Sequence, residues 1–143
     1  MQPTTPNIRQ TVPFFMVRDM EVSLKFYIEK LGFKLTNQWT PRGKIEWCWL
    51  EREGASLMLQ ESREAKFEEF PKGNGISICF QCADALALYQ EFSQKGVEIK
   101  EPFVGNNMWV VNFRDPDGYK LDFESPTDVP EETTYSEWLK NSI

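Results

Sequence analysis

The chain has no histidine, only three cysteines, no long apolar run and no surplus of positive charge. Each lack excludes something. Without histidine there is no imidazole to activate Ser77, and nothing suggests another base beside it, so nucleophilic catalysis has no support. Cys79 and Cys82 form a CxxC, but both fall in a stretch that reads as a strand, where an odd separation sends them to opposite faces. A redox CxxC sits at a helix N-terminus, and zinc needs further Cys or His at suitable spacing. The cysteines therefore read as reduced and buried, in a cytoplasmic protein. No run is long enough to span a bilayer, and no basic-then-apolar leader opens the chain. A formal charge of −6 disfavours nucleic acid, whose binders carry basic stripes, and attracts cationic small molecules in a diffuse way. The glycines around Asn74 and before Asn106 lack a phosphate-loop context and read as turns.

What the chain does have is a repeat. Asp19 opens an amphipathic run that closes at Lys30-Leu31-Gly32, and Asp84 opens a similar one that closes at Gln94-Lys95-Gly96. Downstream, Gly54–Gln60 lies over Gly118–Glu124; upstream, Pro13–Asp19 lies over Ile78–Asp84. The copies stand about 64 residues apart, and a fixed internal period means one supersecondary unit used twice. A cleft between the copies is then the natural place for function.

Each copy reads as β-α-β-β-β. In the first, Thr11–Val17 is a strand, Asp19 caps a helix to Lys30, and Phe33–Trp39, Ile45–Leu50 and Ala55–Gln60 follow as strands. In the second, Ile76–Cys82, a helix over Asp84–Lys95, Val97–Glu101, Met108–Phe113 and Tyr119–Glu124 repeat the order. Between them Glu61–Gly75 is charged, with room for a turn or two of helix; Thr134–Lys140 forms a short terminal helix presenting Trp138 and Leu139. Strand alternation separates an apolar face (Phe15, Val17, Leu57, Leu59, Ile78, Phe80, Leu121, Phe123) from a mixed one. Phe14, Met16, Met58, Gln60, Ser77, Cys79, Lys120, Asp122 and Glu124 belong to the mixed face, which a curved sheet turns into a cup. Trp47 and Trp49 alternate along one strand, and Trp109 takes the equivalent parity in the second copy. The aliphatic residues already fill the helix face, which puts these rings in the cup, although a one-residue slip of hairpin register reverses that.

Val17-Arg18-Asp19, Ser23-Leu24-Lys25-Phe26-Tyr27, Leu31-Gly32-Phe33 and Asp115-Pro116-Asp117-Gly118-Tyr119-Lys120-Leu121-Asp122, in that order, resemble the vicinal oxygen chelate superfamily. That superfamily includes glyoxalase I, bleomycin resistance proteins and extradiol dioxygenases. The resemblance runs from about Val12 to Glu124 and implies an α+β domain of two βαβββ modules forming a curved mixed sheet. Module one spans about 8–61, the linker 62–75, module two about 76–125 and a tail 126–143. In the family's metal enzymes one ligand comes from the first and one from the last strand of each module. Those positions here are Val12, Met58, Ser77 and Asp122, of which only Asp122 is a conventional ligand.

The resulting expectation is a cytoplasmic homodimer with no cofactor, no nucleic-acid partner and no membrane contact. It binds a small molecule in an apolar-aromatic cup of Phe14, Met16, Trp47, Trp49, Met58, Ser77, Trp109 and Asp122, with drug sequestration as the family parallel. Three alternatives stand beside it. One is a lyase, isomerase or dioxygenase with a non-standard metal, such as Mg²⁺ on Asp122, Glu124 and Gln60. Another is metal-free chemistry with Asp122 as the acid–base group. The last is an interaction module whose cup is closed by a partner or by its own C-terminal segment.

Overall fold

Each copy of the repeat folds as a strand, a helix and a three-stranded meander in a computed structural model that describes residues 5–63 and 72–142. The first unit contains β1 (Phe14–Val17), α1 (Met20–Leu24, continued by a π-helical segment Lys25–Lys30), β2 (Lys34–Trp39), β3 (Trp47–Arg52) and β4 (Ala55–Glu61). The second contains β5 (Ser77–Gln81), α2 (Ala85–Gln94), β6 (Phe103–Gly105), β7 (Met108–Arg114) and β8 (Lys120–Pro126), followed by α3 (Tyr135–Asn141). The helix starts follow from their caps. Asp19 accepts from the Glu21 and Val22 amides, and Asp84 from the Ala87 amide. Gly32 ends the first helix with φ of 78°, so the backbone calls for glycine; a Cβ there would lie 2.9 Å from Arg52 Nη1 and displace the guanidinium.

The fold is α+β. The strands form two four-stranded sheets of identical order, β1-β4-β3-β2 and β5-β8-β7-β6. In each, the outermost pair β1/β4 or β5/β8 is parallel and the meander antiparallel. One expected strand is displaced. Val97–Glu101 is not a strand; the ladder begins only at Phe103, beyond the fully buried Pro102, which has no N–H to donate. Asn106 and Asn107 take φ of 53° and 62°, a two-residue turn of primed type, and this pairs Gly105 with Met108. The helical turn expected between the units falls largely on 64–71, outside the described residues. Among the described residues no helix is long and apolar enough to cross a membrane.

Both helices lie on the inner, apolar faces and tie the units together in one continuous core. Phe26 meets Phe113 edge-on, and Phe33 meets Phe80. Arg52 forms two hydrogen bonds to the Glu91 carboxylate of α2, donates to the Leu31 carbonyl and lies over the Phe92 ring. At the other end, the Asp115 carboxylate accepts from the Asp117 and Tyr119 amides within its own turn and from the Tyr27 hydroxyl of the first unit. Burial raises the Asp115 carboxyl above its ordinary range against the pull of those donors, and burial next to Asp115 raises the Tyr27 phenol well above its own.

No ladder joins β1 to β5. The Pro13 and Val17 carbonyls bond to β4 and its end, which turns the intervening Met16 carbonyl outward. There it accepts from the Tyr119 hydroxyl at 2.9 Å, while the Tyr119 ring stacks on Phe15 at 4.2 Å.

Candidate functional site

Register decides which side chains share a face. On the first sheet Phe14 pairs with Met58, Met58 with Trp49 and Trp49 with Asn37. The next row runs Met16, Gln60, Trp47, Trp39. Cys48 and Leu50, which alternate with the tryptophans, are fully buried on the inner side. The first sheet therefore carries Phe14, Met16, Met58, Trp47 and Trp49 together on its outer face. Phe14 is 46% exposed, Met16 37% and Trp39 53%, an apolar surface open to solvent in a single chain. Trp39 was absent from the sequence-based set; the turn it shares with Trp47 was the available signal, but only the pairing of the two shows that they face the same way. Trp49 is oriented by its indole N–H, which donates to Glu51 at 2.8 Å.

Ser77 and Asp122 lie on the outer face of the second sheet. Here the rows are Cys79, Asp122, Asn112 and Gln81, Glu124, Val110. The Cys79 thiol lies 3.7 Å from Asp122 and 3.9 Å from the Ser77 hydroxyl, and Gln81 donates to Glu124 at 2.8 Å. Cys79 is exposed and Cys82 half-buried, so only Cys48 fits the expectation of buried cysteine. Partial burial pushes the Cys79 thiol up, and the Glu124 and Asp122 carboxylates add to it. That favours the protonated, weakly nucleophilic form.

Trp109 stands apart from the other tryptophans. It is buried on the inner face with Val111 and Phe113, and Tyr135 and Trp138 of α3 pack edge-on against it. Its assignment to the cup face is thus corrected by register. Trp47 pairs with Gln60, but in the second unit it is Val110, not Val111, that pairs with Glu124. The turn through Asp115–Gly118 holds one more residue than its counterpart, and a one-residue slip exchanges the faces. The same contacts place Trp138 on the inner side, against Trp109, and not over the outer face of either sheet.

The two sets, one apolar-aromatic and one polar, therefore occupy outer faces of separate sheets. Among the described residues no hydrogen bond, ion pair or ring contact joins one set to the other. The positions that the resemblance assigns to the family's metal offer a hydrocarbon (Val12), a thioether (Met58), a hydroxyl (Ser77) and one carboxylate (Asp122). That donor set does not fit Zn²⁺, Ni²⁺ or Fe²⁺. Among the described residues no group of three or more Cys, Asp and Glu is placed to hold a metal ion.

Paired βαβββ units with a mixed outer face define the class. The model of the Glyoxalase/Bleomycin resistance protein/Dioxygenase superfamily matches residues 8–123, and the chain belongs to that superfamily. Over 94 residues it is 31% identical to the uncharacterized protein YurT of Bacillus subtilis (strain 168), covering 60% of this chain and 73% of YurT. Its fold is similar to that of TnmS3, an antibiotic-binding protein from Streptomyces sp. CB03234, with a TM-score of 0.67 at 23% identity over 86% of this chain and 100% of that one. It is also similar to a bleomycin-binding protein complexed with bleomycin, with a TM-score of 0.66 at 21% identity over 82% of this chain and 98% of that one.

Proposed function

We propose that this chain binds a small molecule, without a catalytic transition metal, in a cup assembled from two copies. The outer face of the first sheet of one copy supplies the apolar-aromatic wall of Phe14, Met16, Trp47, Trp49 and Met58. The outer face of the second sheet of the other supplies Ser77 and Asp122. The observation that carries this reading is the division of the site. Within one chain the inner faces are consumed by helix packing, which leaves the two outer faces apart and Phe14 and Met16 exposed beside an unladdered strand edge. An apolar wall with a few polar groups is the usual make-up of a small-molecule pocket. Pairing two copies about a two-fold axis brings both kinds of face together twice.

The donor set at the family metal positions supports binding over metal-assisted chemistry. So do structural neighbours described as binding an antibiotic and bleomycin. The ligand best suited to the cup has a planar body that stacks on tryptophan and a cationic group that reaches Asp122. Titration of tryptophan fluorescence with bleomycin and a panel of planar cationic drugs tests this. Saturable quenching that weakens in both Phe14→Ala and Asp122→Asn is the expected result. Quenching by no member of the panel, or quenching indifferent to both substitutions, overturns it.

A further inference from the structure

A recess lies around the open edge of β7. Because β6 is only three residues long, its ladder covers Met108–Val110 and leaves the rest of β7 without a neighbour on that side. The chain from Gly96 to Lys100 stands off from this edge and, with the end of the first helix, encloses a groove of about 800 Å³. Its apolar lining is Phe26, Phe113 and Val97. Its rim carries Lys30, Lys100, Arg114 and Lys120 against two carboxylates, Glu98 and Asp122.

That balance runs against the rest of the molecule. The chain as a whole has 22 acidic and 16 basic residues, yet four of the basic ones converge on this groove. Among the described residues Lys30, Lys100 and Lys120 form no ion pair, and Arg114 donates only to the Gly118 carbonyl. Elsewhere Arg42, Lys44, Arg52, Arg63 and Lys95 are each paired with a carboxylate, and the cations without an ion pair among the described residues, such as Lys25, Lys34 and Lys140, do not line the groove. Four cations against two carboxylates leave this concave site with a positive excess, which focuses a positive potential and favours an anion.

We infer that the groove binds an organic anion, a carboxylate or phosphate carried on an apolar body. The charged oxygens meet the lysines and Arg114, and the apolar part lies against Phe26 and Phe113. This does not depend on the cup: of the cup residues only Asp122 borders the groove.

Calorimetric titration of the full chain in about 20 mM salt, with phenyl phosphate, benzoate and benzylamine, tests the inference. The three probes share a ring and differ in charge, and the first two separate a phosphate from a carboxylate ligand. Either anion should bind and benzylamine should not. Exchanging both lysines, Lys30→Gln with Lys100→Gln, should weaken the bound anion by roughly tenfold or more, whereas Lys30→Arg with Lys100→Arg should retain it. Raising salt to about 200 mM should weaken it in the wild type, as charge screening requires. Tryptophan quenching by cup ligands should be unchanged in the Gln variant, which keeps failure here distinct from failure of the cup. Binding of neither anion, equal binding of benzylamine, or anion binding untouched by the Gln variant overturns the inference.

Discussion

The Tyr27 hydroxyl donates to the Asp115 carboxylate at 2.6 Å across 88 residues of sequence, joining the helix of the first unit to the turn of the second. The Phe26-Tyr27 pair and the Asp115–Gly118 turn are thus two halves of one buried latch, with Asp115 also organising the turn that presents β8. Removing the hydroxyl leaves a buried carboxylate short of a donor. Tyr27→Phe should lower stability by about 1–3 kcal/mol, read as a reduced midpoint in urea with little change in slope. An unchanged midpoint would show that water replaces the hydroxyl without loss.

The pseudo-equivalent latch is Arg52 with Glu91. The hydrogen bonds from Arg52 hold the Glu91 carboxyl below its ordinary range of 4.5, against the opposing effect of burial. A depressed value means that the pair stabilises the fold above about pH 4.5 and that this contribution is lost as pH falls through the folded-state value. Glu91→Gln should cost about 1 kcal/mol at neutral pH, and the gap from wild type should close on acidification. Denaturation midpoints of both proteins from pH 7 down to 3 provide the check.

Gly32→Ala should be more damaging than either end of that pair. It places a Cβ at positive φ, at about 1–2 kcal/mol, and also against Arg52 Nη1. Double-mutant analysis with Arg52→Ala should recover part of the loss. Full additivity would show that the steric conflict is absent.

If two copies complete the cup, light scattering at micromolar concentration should return twice the 16.8 kDa chain mass. Met16→Asp, which puts a charge on the exposed apolar edge, should shift the mass toward the monomer while leaving far-ultraviolet circular dichroism intact. A wild-type monomer in that measurement removes the two-copy cup.

The tryptophans should separate into two behaviours. Trp49→Ala should weaken a stacking ligand and barely affect stability. Trp109→Ala should cost about 3–5 kcal/mol, because it empties the contact that docks α3, and should change ligand affinity little. The opposite pattern would return Trp109 to the site and remove Trp49 from it.

Much of the fold was legible in the sequence because it rests on local rules. Asp19 and Asp84 announce helix starts, Gly32 and Gly96 announce stops, and the two-residue alternation of a strand assigns Phe15 and Leu57 to one face and Phe14 and Met58 to the other. Even the lack of imidazole ligands is compositional: no arrangement of the chain supplies an imidazole it does not contain. β6 was misplaced because apolar content at Val97 and Ile99 resembles a strand, whereas the Asn106-Asn107 turn dictates which residues can pair.

The sequence by itself determined the repeat, the ends of its helices and the face each residue of β1, β4, β5 and β8 takes, since all of these depend on neighbours a few residues away. Only the tertiary structure decided that Trp109 faces inward, because one extra residue in the Asp115–Gly118 turn slips the hairpin register by one. It also decided that the inner faces, and not the outer ones, meet within one chain. There the packing of both helices between the units, closed by Tyr27 on Asp115 and Arg52 on Glu91, buries the apolar faces and leaves the outer faces of the two sheets unjoined.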